Sequence, residues 1–221
     1  TASLLTWAQV NSATGASLKS AYDVIYFSVN PDTYDYSQLR THVATGGRLE
    51  EFANLGGVLV LNVAGIVGNQ ANIAPGGVSH SVPAVHQSET FASAGHPYIT
   101  GQPYGGTHLT EAMFNNWGST DHGILQNVPP NCATILINTH GLSMVEYPWG
   151  SGRVIVSTLT FGWASAGAEH SGPPFDNELL YATTGGISSP ATYDVYLGKS
   201  SGGMSRIAAD LVDTVRAAGP L

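Results

Sequence analysis

The stretch Leu49-Glu-Glu-Phe-Ala-Asn-Leu-Gly-Gly-Val-Leu-Val60 carries the strongest fold signal in this chain. Leu49, Phe52 and Leu55 fall on one face of a helix, and the glycine pair after them ends that helix. The apolar run that follows, as far as Val63, is typical of a buried strand. A helix leading directly into a buried strand predicts an α/β fold.

The same pattern extends outward along the chain. A helical segment begins near Tyr36 and is interrupted at Gly46-Gly47, a hairpin spans Val145 to Thr160, and a last helix spans Phe175 to Thr183. Strands alternating with helices imply right-handed crossovers, so we expect a three-layer, flavodoxin-like sandwich with a mainly parallel sheet. Further strands are predicted at Leu4 to Ala8, Val24 to Val29, Thr134 to Asn138 and Val154 to Leu159.

Two stretches depart from this alternation. Residues 65–126 are rich in Gly, Pro, His and Asn, and we predict a long, mostly irregular excursion that serves as a binding surface. After Gly185-Gly186, Tyr193 to Gly198 alternates like a strand. The chain therefore divides into an α/β domain, residues 1–186, and a linker with a short C-terminal β segment, residues 187–221.

Composition excludes several functions. Only 10% of the 221 residues are charged and the net charge is −8, so no basic surface for nucleic acid is expected. No apolar run reaches the ~20 residues that a bilayer requires, and the single Cys132 excludes an internal disulfide. Low charge favours an extracellular or cell-surface location, and the start at Thr1 fits either removal of a signal peptide or an excised fragment.

Several motifs resemble one superfamily. Asp23-Val-Ile-Tyr-Phe27, Gly95-His-Pro97 and Glu146-Tyr-Pro-Trp-Gly-Ser-Gly-Arg-Val154, together with the stretch from Leu49, resemble the class I glutamine amidotransferase-like superfamily. The likeness is strongest to its secreted, non-amidotransferase branches and covers residues 1–186.

This resemblance implies a nucleophilic cysteine in the turn after the strand that ends at Val63, with His and Glu partners after a later strand. The turn here, Asn62 to Gln70, contains neither Cys nor Ser, and Val67 stands nearest the expected nucleophile. Glu169-His170 has the reverse of the usual order. We therefore predict no catalytic residues and no amidotransferase activity, and we lean against an enzyme.

The segment from Ala191 to Ser200 resembles a middle strand of fibronectin type III-like modules. Because the rest of such a module is absent, its edges would be unpaired and open to another chain. This predicts a protein partner, or self-assembly through the C-terminal strand.

The histidines and aromatic residues suggest weaker alternatives. Imidazoles with a carboxylate suit zinc, and oxygen ligands after a strand suit calcium, although turn and cap roles explain the same residues and no metal-binding motif is present. No Gly-x-Ser-x-Gly elbow is present either. Candidate ligand-binding residues are His96, Trp117, Asp121, His122, Trp163, Glu169 and His170, and weak metal candidates are Asp32, Asp35, His80 and His86.

Three functions remain open at this point. The leading hypothesis is a non-catalytic extracellular binding or assembly domain of a surface or filament protein, without a cofactor. The alternative is a secreted, hydrolase-like enzyme that acts on carbohydrate through His, Asp and Glu side chains of residues 65–126. The third is a structural subunit whose C-terminal strand completes a neighbour's sheet.

Overall fold

The computed structural model describes residues 5–28, 36–65, 68–86, 88–115, 119–161 and 172–184, with the backbone alone at 84–86. None of the described helices is long and apolar enough to cross a membrane. The predicted C-terminal segment, 187–221, lies outside these residues. The helices are α1 Trp7–Ser12, α2 Gly15–Ala21, α3 Ser37–Val43, α4 Arg48–Asn54, α5 Pro97–Thr100, α6 Glu111–Phe114 and α7 Gly172–Thr184.

The described strands form a single nine-stranded mixed sheet. Strands β1, β2 and β9 are parallel, whereas β3, β4, β5, β6, β7 and β8 pair antiparallel with their neighbours. The strands are β1 Val24–Ser28, β2 Val58–Asn62, β3 Gln70–Ala74, β4 Val78–His86, β5 Thr90–Phe91, β6 Asp121–Gln126, β7 Ala133–Asn138, β8 Gly141–Trp149 and β9 Gly152–Ser157.

The sheet branches at β8. One edge of β8 pairs with β7 from Gly141 to Glu146, and the other pairs with β9 from Met144 to Trp149. Beyond the end of β9, β6 joins this second edge through one pair, Leu125 with Leu142. Strands β6, β4 and β3 therefore form a separate branch, and the sheet curls into a half-barrel.

The prediction of a mainly parallel, flavodoxin-like sandwich is wrong. The sheet is mostly antiparallel because residues 65–126, predicted to be irregular, contain β3, β4, β5 and β6. Val78 and His80 are buried while Ser79 and Ser81 are half-buried, as in a strand with one buried face, but the polar His80 and the surrounding Gly and Pro residues hid this alternation in the sequence.

The predicted first strand, Leu4 to Ala8, is also wrong where it is described, because Trp7 and Ala8 lie in α1. Thr6 caps this helix: its Oγ1 accepts a hydrogen bond from the Gln9 N–H at 3.3 Å, while the Gln9 side chain accepts one from the Thr6 N–H at 2.8 Å. This capping box overrides the apolar composition of the segment.

Two apolar cores cover the two faces of the parallel strands. Alternate residues of β1, such as Ile25 and Phe27, face helices α1 to α4, whereas Val24 and Tyr26 face α5, α6 and α7. The second face carries a group of buried polar residues at the carboxyl ends of the strands, described next.

Candidate functional site

Three polar residues stand in register at the carboxyl ends of the parallel strands. Ser28, Asn62 and Ser157 are the last residues of β1, β2 and β9, and Asn62 is paired with both serines. Each is at most 3% exposed. Because α/β sheets usually bind ligands beyond the carboxyl ends of their strands, this row lies at the expected position of a ligand-binding site.

Tyr26 and Glu178 join this row to form the strand-end cluster. The Tyr26 hydroxyl donates to Glu178 Oε2 at 2.7 Å, and Asn62 Nδ2 donates to the same oxygen at 2.8 Å. Asn62 Nδ2 also contacts the Tyr26 hydroxyl, and the Ser157 hydroxyl donates to Asn62 Oδ1. These side chains are thus bonded to one another beneath α7.

Burial controls the chemistry of this cluster. It raises the pKa of Glu178 to about 7, against hydrogen bonds from Asn62 and Tyr26 that act to lower it. Burial, together with the nearby Glu178 carboxylate, raises the pKa of Tyr26 well above its ordinary value. Glu178 Oε1 and Ser28 Oγ have no hydrogen-bond partner within the described part of the chain. The cluster therefore holds a carboxyl group that is partly protonated near neutral pH.

The turn after β2 is held by a tyrosine. The Tyr36 hydroxyl donates to the Val63 carbonyl at 2.9 Å and accepts from the Gly65 N–H at 3.0 Å. A Cβ at Gly65 would lie 2.4 Å from the Tyr36 hydroxyl oxygen, so this close approach requires glycine. Val63, Ala64 and Gly65 present no side-chain nucleophile, and Val67, nearest the nucleophile that the superfamily resemblance implies, lies outside the described residues.

A histidine and a serine lie beside this turn. His122 Nδ1 is 2.7 Å from the Ala64 carbonyl oxygen, and His122 Nε2 is 2.8 Å from the Ser119 hydroxyl. His80 Nε2 in turn contacts the His122 carbonyl oxygen. Burial lowers the pKa of His80, which keeps this imidazole neutral. We call Ser119 and His122 the Ser–His pair.

Two carboxyl groups are buried together on the other side of β6. Glu89 and Asp121 are 2% and 0% exposed. Burial and the adjacent Asp121 carboxylate raise the pKa of Glu89 well above its ordinary value. The Ser143 hydroxyl donates to Glu89, and Asn138 Nδ2 donates to Asp121. In this acid pair, burial beside a second carboxylate favours the protonated form of Glu89.

His96 belongs to a different cluster. Its Nδ1 accepts from the Tyr98 N–H at 3.2 Å at the start of α5, and its Nε2 is 3.1 Å from Glu146 Oε1. Glu146 also accepts from the Tyr181 hydroxyl at 2.7 Å, and the Arg153 guanidinium lies 4.3 Å from the centre of the Tyr181 ring. Burial acts to raise the pKa of Glu146, but the bonds from His96 and Tyr181 and the charge of Arg153 hold it below its ordinary value. This cluster ties α5 and α7 to the β8–β9 hairpin.

The predicted site residues therefore do not form one group. Within the described residues, His122 lies beside the turn after β2, Asp121 in the acid pair and His96 in the hairpin cluster. His86 is paired with Asp121 in the β4–β6 ladder. No group of three or more His, Cys, Asp and Glu in the described ranges could hold a metal ion. The other predicted residues lie outside these ranges: Asp32, Asp35, Trp117, Trp163, Glu169 and His170.

Sequence reasoning missed the strand-end cluster, Ser119 and Glu89. One signal was available, because three of the predicted strands carry Ser28, Asn62 and Ser157 near their carboxyl ends, and polar residues at that edge suggest a site. No local pattern identifies Glu178, which is 116 residues from its partner Asn62.

Comparison with known proteins gives no family. No family model matches the chain, and no curated protein matches it. Among solved structures, it is similar to the cytoplasmic protein STM3548 from Salmonella typhimurium, with 12% sequence identity and a TM-score of 0.44, over 80% of this chain and 77% of that one.

Proposed function

We propose that this chain is an extracellular binding or assembly domain of a surface or filament protein. The observation that carries the proposal is the strand-end cluster, which occupies the place where a substrate would bind in an α/β sheet. Tyr26, Asn62, Ser157 and Glu178 are each at most 2% exposed and are bonded to one another, so they are closed to a substrate.

The turn after β2 supports the same proposal. Tyr36 fixes this turn through two hydrogen bonds, and neither the described residues 63–65 nor the sequence as far as Gln70 supplies Cys or Ser. Covalent amidotransferase chemistry needs such a nucleophile. The low charge and the strand-like segment Tyr193 to Gly198 favour a surface location and assembly through that segment.

The alternative, a carbohydrate hydrolase that uses residues 65–126, has less support. Glycoside hydrolysis needs two carboxyl groups on either side of an accessible bond. The two carboxyl groups of the acid pair, Glu89 and Asp121, both belong to this range and are buried against each other. They have no exposed surface with which to reach a sugar.

Assembly through the C-terminal segment can be tested on the intact chain. We expect the wild-type protein to form concentration-dependent oligomers in light scattering, and Val195→Pro to prevent them, because proline removes a backbone donor from the predicted strand. Ser201→Pro, outside Tyr193 to Gly198, is the matched control and should assemble like the wild type. A chain ending at Gly186 should be monomeric. Equal assembly of all four proteins would contradict the proposal.

A further inference from the structure

The Ser–His pair has a fixed direction of hydrogen bonding. A carbonyl oxygen can only accept, so His122 Nδ1, at 2.7 Å from the Ala64 oxygen, must carry a proton. In the neutral imidazole, Nε2 is then an acceptor, and the Ser119 hydroxyl at 2.8 Å donates to it. This is the arrangement of a nucleophile, a base and an orienting group, with a main-chain carbonyl in the third role.

The backbone holds both members of the pair in place. The His122 N–H donates to the Thr158 carbonyl at 2.9 Å, and the His122 carbonyl accepts from the buried His80 side chain. The Ser119 carbonyl accepts from the Thr160 hydroxyl. Because Thr158 and Thr160 lie within three residues of the end of β9 and Ala64 lies two residues after β2, the pair is anchored on two central strands. Such anchoring gives the preorganisation that catalysis needs.

Exposure distinguishes Ser119 from the other serines at this edge. Ser28, Ser143 and Ser157 are at most 3% exposed, and the latter two donate to other side chains. Ser119 is half-buried, whereas the two residues after it, Thr120 and Asp121, are fully buried. Ser119 is therefore partly open to solvent, whereas His122 is only 8% exposed.

We propose that Ser119 and His122 form an acyl-transfer site that cleaves small carboxylic esters. Ser119 Oγ attacks the ester carbonyl and its proton passes to His122 Nε2, which gives the proton to the leaving alcohol as the ester C–O bond breaks. Water then attacks the acyl-serine, loses its proton to His122, and releases the acid as Ser119 regains a proton. This activity goes beyond the proposed binding role and does not depend on it.

A fluorophosphonate probe tests the nucleophile directly. Ser119 Oγ would form a bond to phosphorus with loss of fluoride, and His122 would accept the proton. We expect mass spectrometry of the intact protein to show one label, located at Ser119. Ser119→Ala should lose the label, and His122→Gln should react at least about a hundredfold more slowly. Ser81→Ala, at a half-buried serine that bonds Asn69 at 3.1 Å, should label like the wild type.

Ser119→Cys provides a measurement that does not require a functional ester site. A thiol beside His122 should be activated as a thiolate, so iodoacetamide should alkylate it at pH 6.5 about tenfold or more faster than the native Cys132 in the same molecule. Tryptic peptides report both rates at once. Circular dichroism confirms that each variant is folded.

Two results would overturn the proposal. One is equal fluorophosphonate labelling, or equal lack of labelling, in the wild type and Ser119→Ala. The other, which applies even if Ser119→Ala does not fold, is alkylation of Cys at position 119 no faster than that of Cys132. Loss of assembly in the Val195→Pro variant concerns a different part of the chain and leaves this test unaffected.

Discussion

Gly152→Ala is expected to lower the free energy of unfolding by about 3 kcal/mol or more, at the upper end of the cost of overpacking. A Cβ at Gly152 would lie 2.2 Å from the Gly57 carbonyl oxygen and 2.4 Å from that of Ala53. Both are backbone atoms at the end of α4, which cannot rotate away as a side chain would. Two hydrogen bonds also join the β8–β9 hairpin to this segment. The Ser151 N–H donates to the Asn54 carbonyl at 2.9 Å, and the Arg153 N–H donates to the Gly57 carbonyl at 3.2 Å.

Gly95→Ala is the matched control. A Cβ at Gly95 would have no atom within 4 Å, and its φ does not fall in the left-handed region. This variant should be neutral, or more stable by up to about 1 kcal/mol through the entropy of the unfolded chain. Urea unfolding followed by circular dichroism measures both variants. Equal stability of the two would show that the hairpin can move away from α4 at little cost.

Glu178→Gln is expected to remove a pH-dependent loss of stability. The native state holds the Glu178 proton up to a pKa of about 7, whereas the unfolded chain loses it near 4.5. Between these values the native state binds more protons, so wild-type stability falls as pH rises through this window. At about 1.4 kcal/mol per pKa unit, the wild type should lose about 3 kcal/mol relative to Glu178→Gln between pH 4 and pH 8.

The difference between the two proteins isolates this residue from other titrating groups. The raised pKa of Glu89 acts in the same direction, whereas burial lowers the pKa of His42 and of His80, whose contributions are lost as pH falls. These effects cancel on subtraction. Asp176→Asn, at a more exposed position of the same helix where burial also raises the pKa, should give a difference of the same sign but a smaller size. A difference between wild type and Glu178→Gln that stays flat with pH would contradict a buried acid at this position.

The central strands could be predicted from the sequence because burial on both faces leaves a continuous apolar signal. The predictions at Val24 to Val29 and Val58 to Val63 match β1 and β2, and the interrupted helix from Tyr36 matches α3 and α4. The strands β3, β4, β5 and β6 of residues 65–126 could not be predicted, because strands that lie among Gly and Pro residues carry little periodicity. The prediction of a three-layer sandwich with a mainly parallel sheet was wrong for this reason.

The candidate site was less predictable than the fold. His122 was identified as a candidate from its residue type, but its orientation depends on the Ala64 carbonyl, 58 residues away in sequence. Glu178 was not predicted as a site residue, because a glutamate in a helix is ordinarily exposed. Its burial follows only from the packing of α7 over Tyr26 and Asn62. Hydrogen bonds between distant segments leave no local pattern to read.

The branching of the sheet at β8 determines how the molecule can open. The branch of β6, β4 and β3 meets the rest of the sheet through Leu125 with Leu142 and through the bridge from Asp121 to Leu159, whereas β2 and β9 share five registered pairs. The junction has two registered backbone pairs against five, so we expect the amides of β3, β4 and β6 to exchange with solvent faster than those of β2 and β9. His122, which bonds to Thr158 and Ala64, lies at this junction between the branch and the central strands.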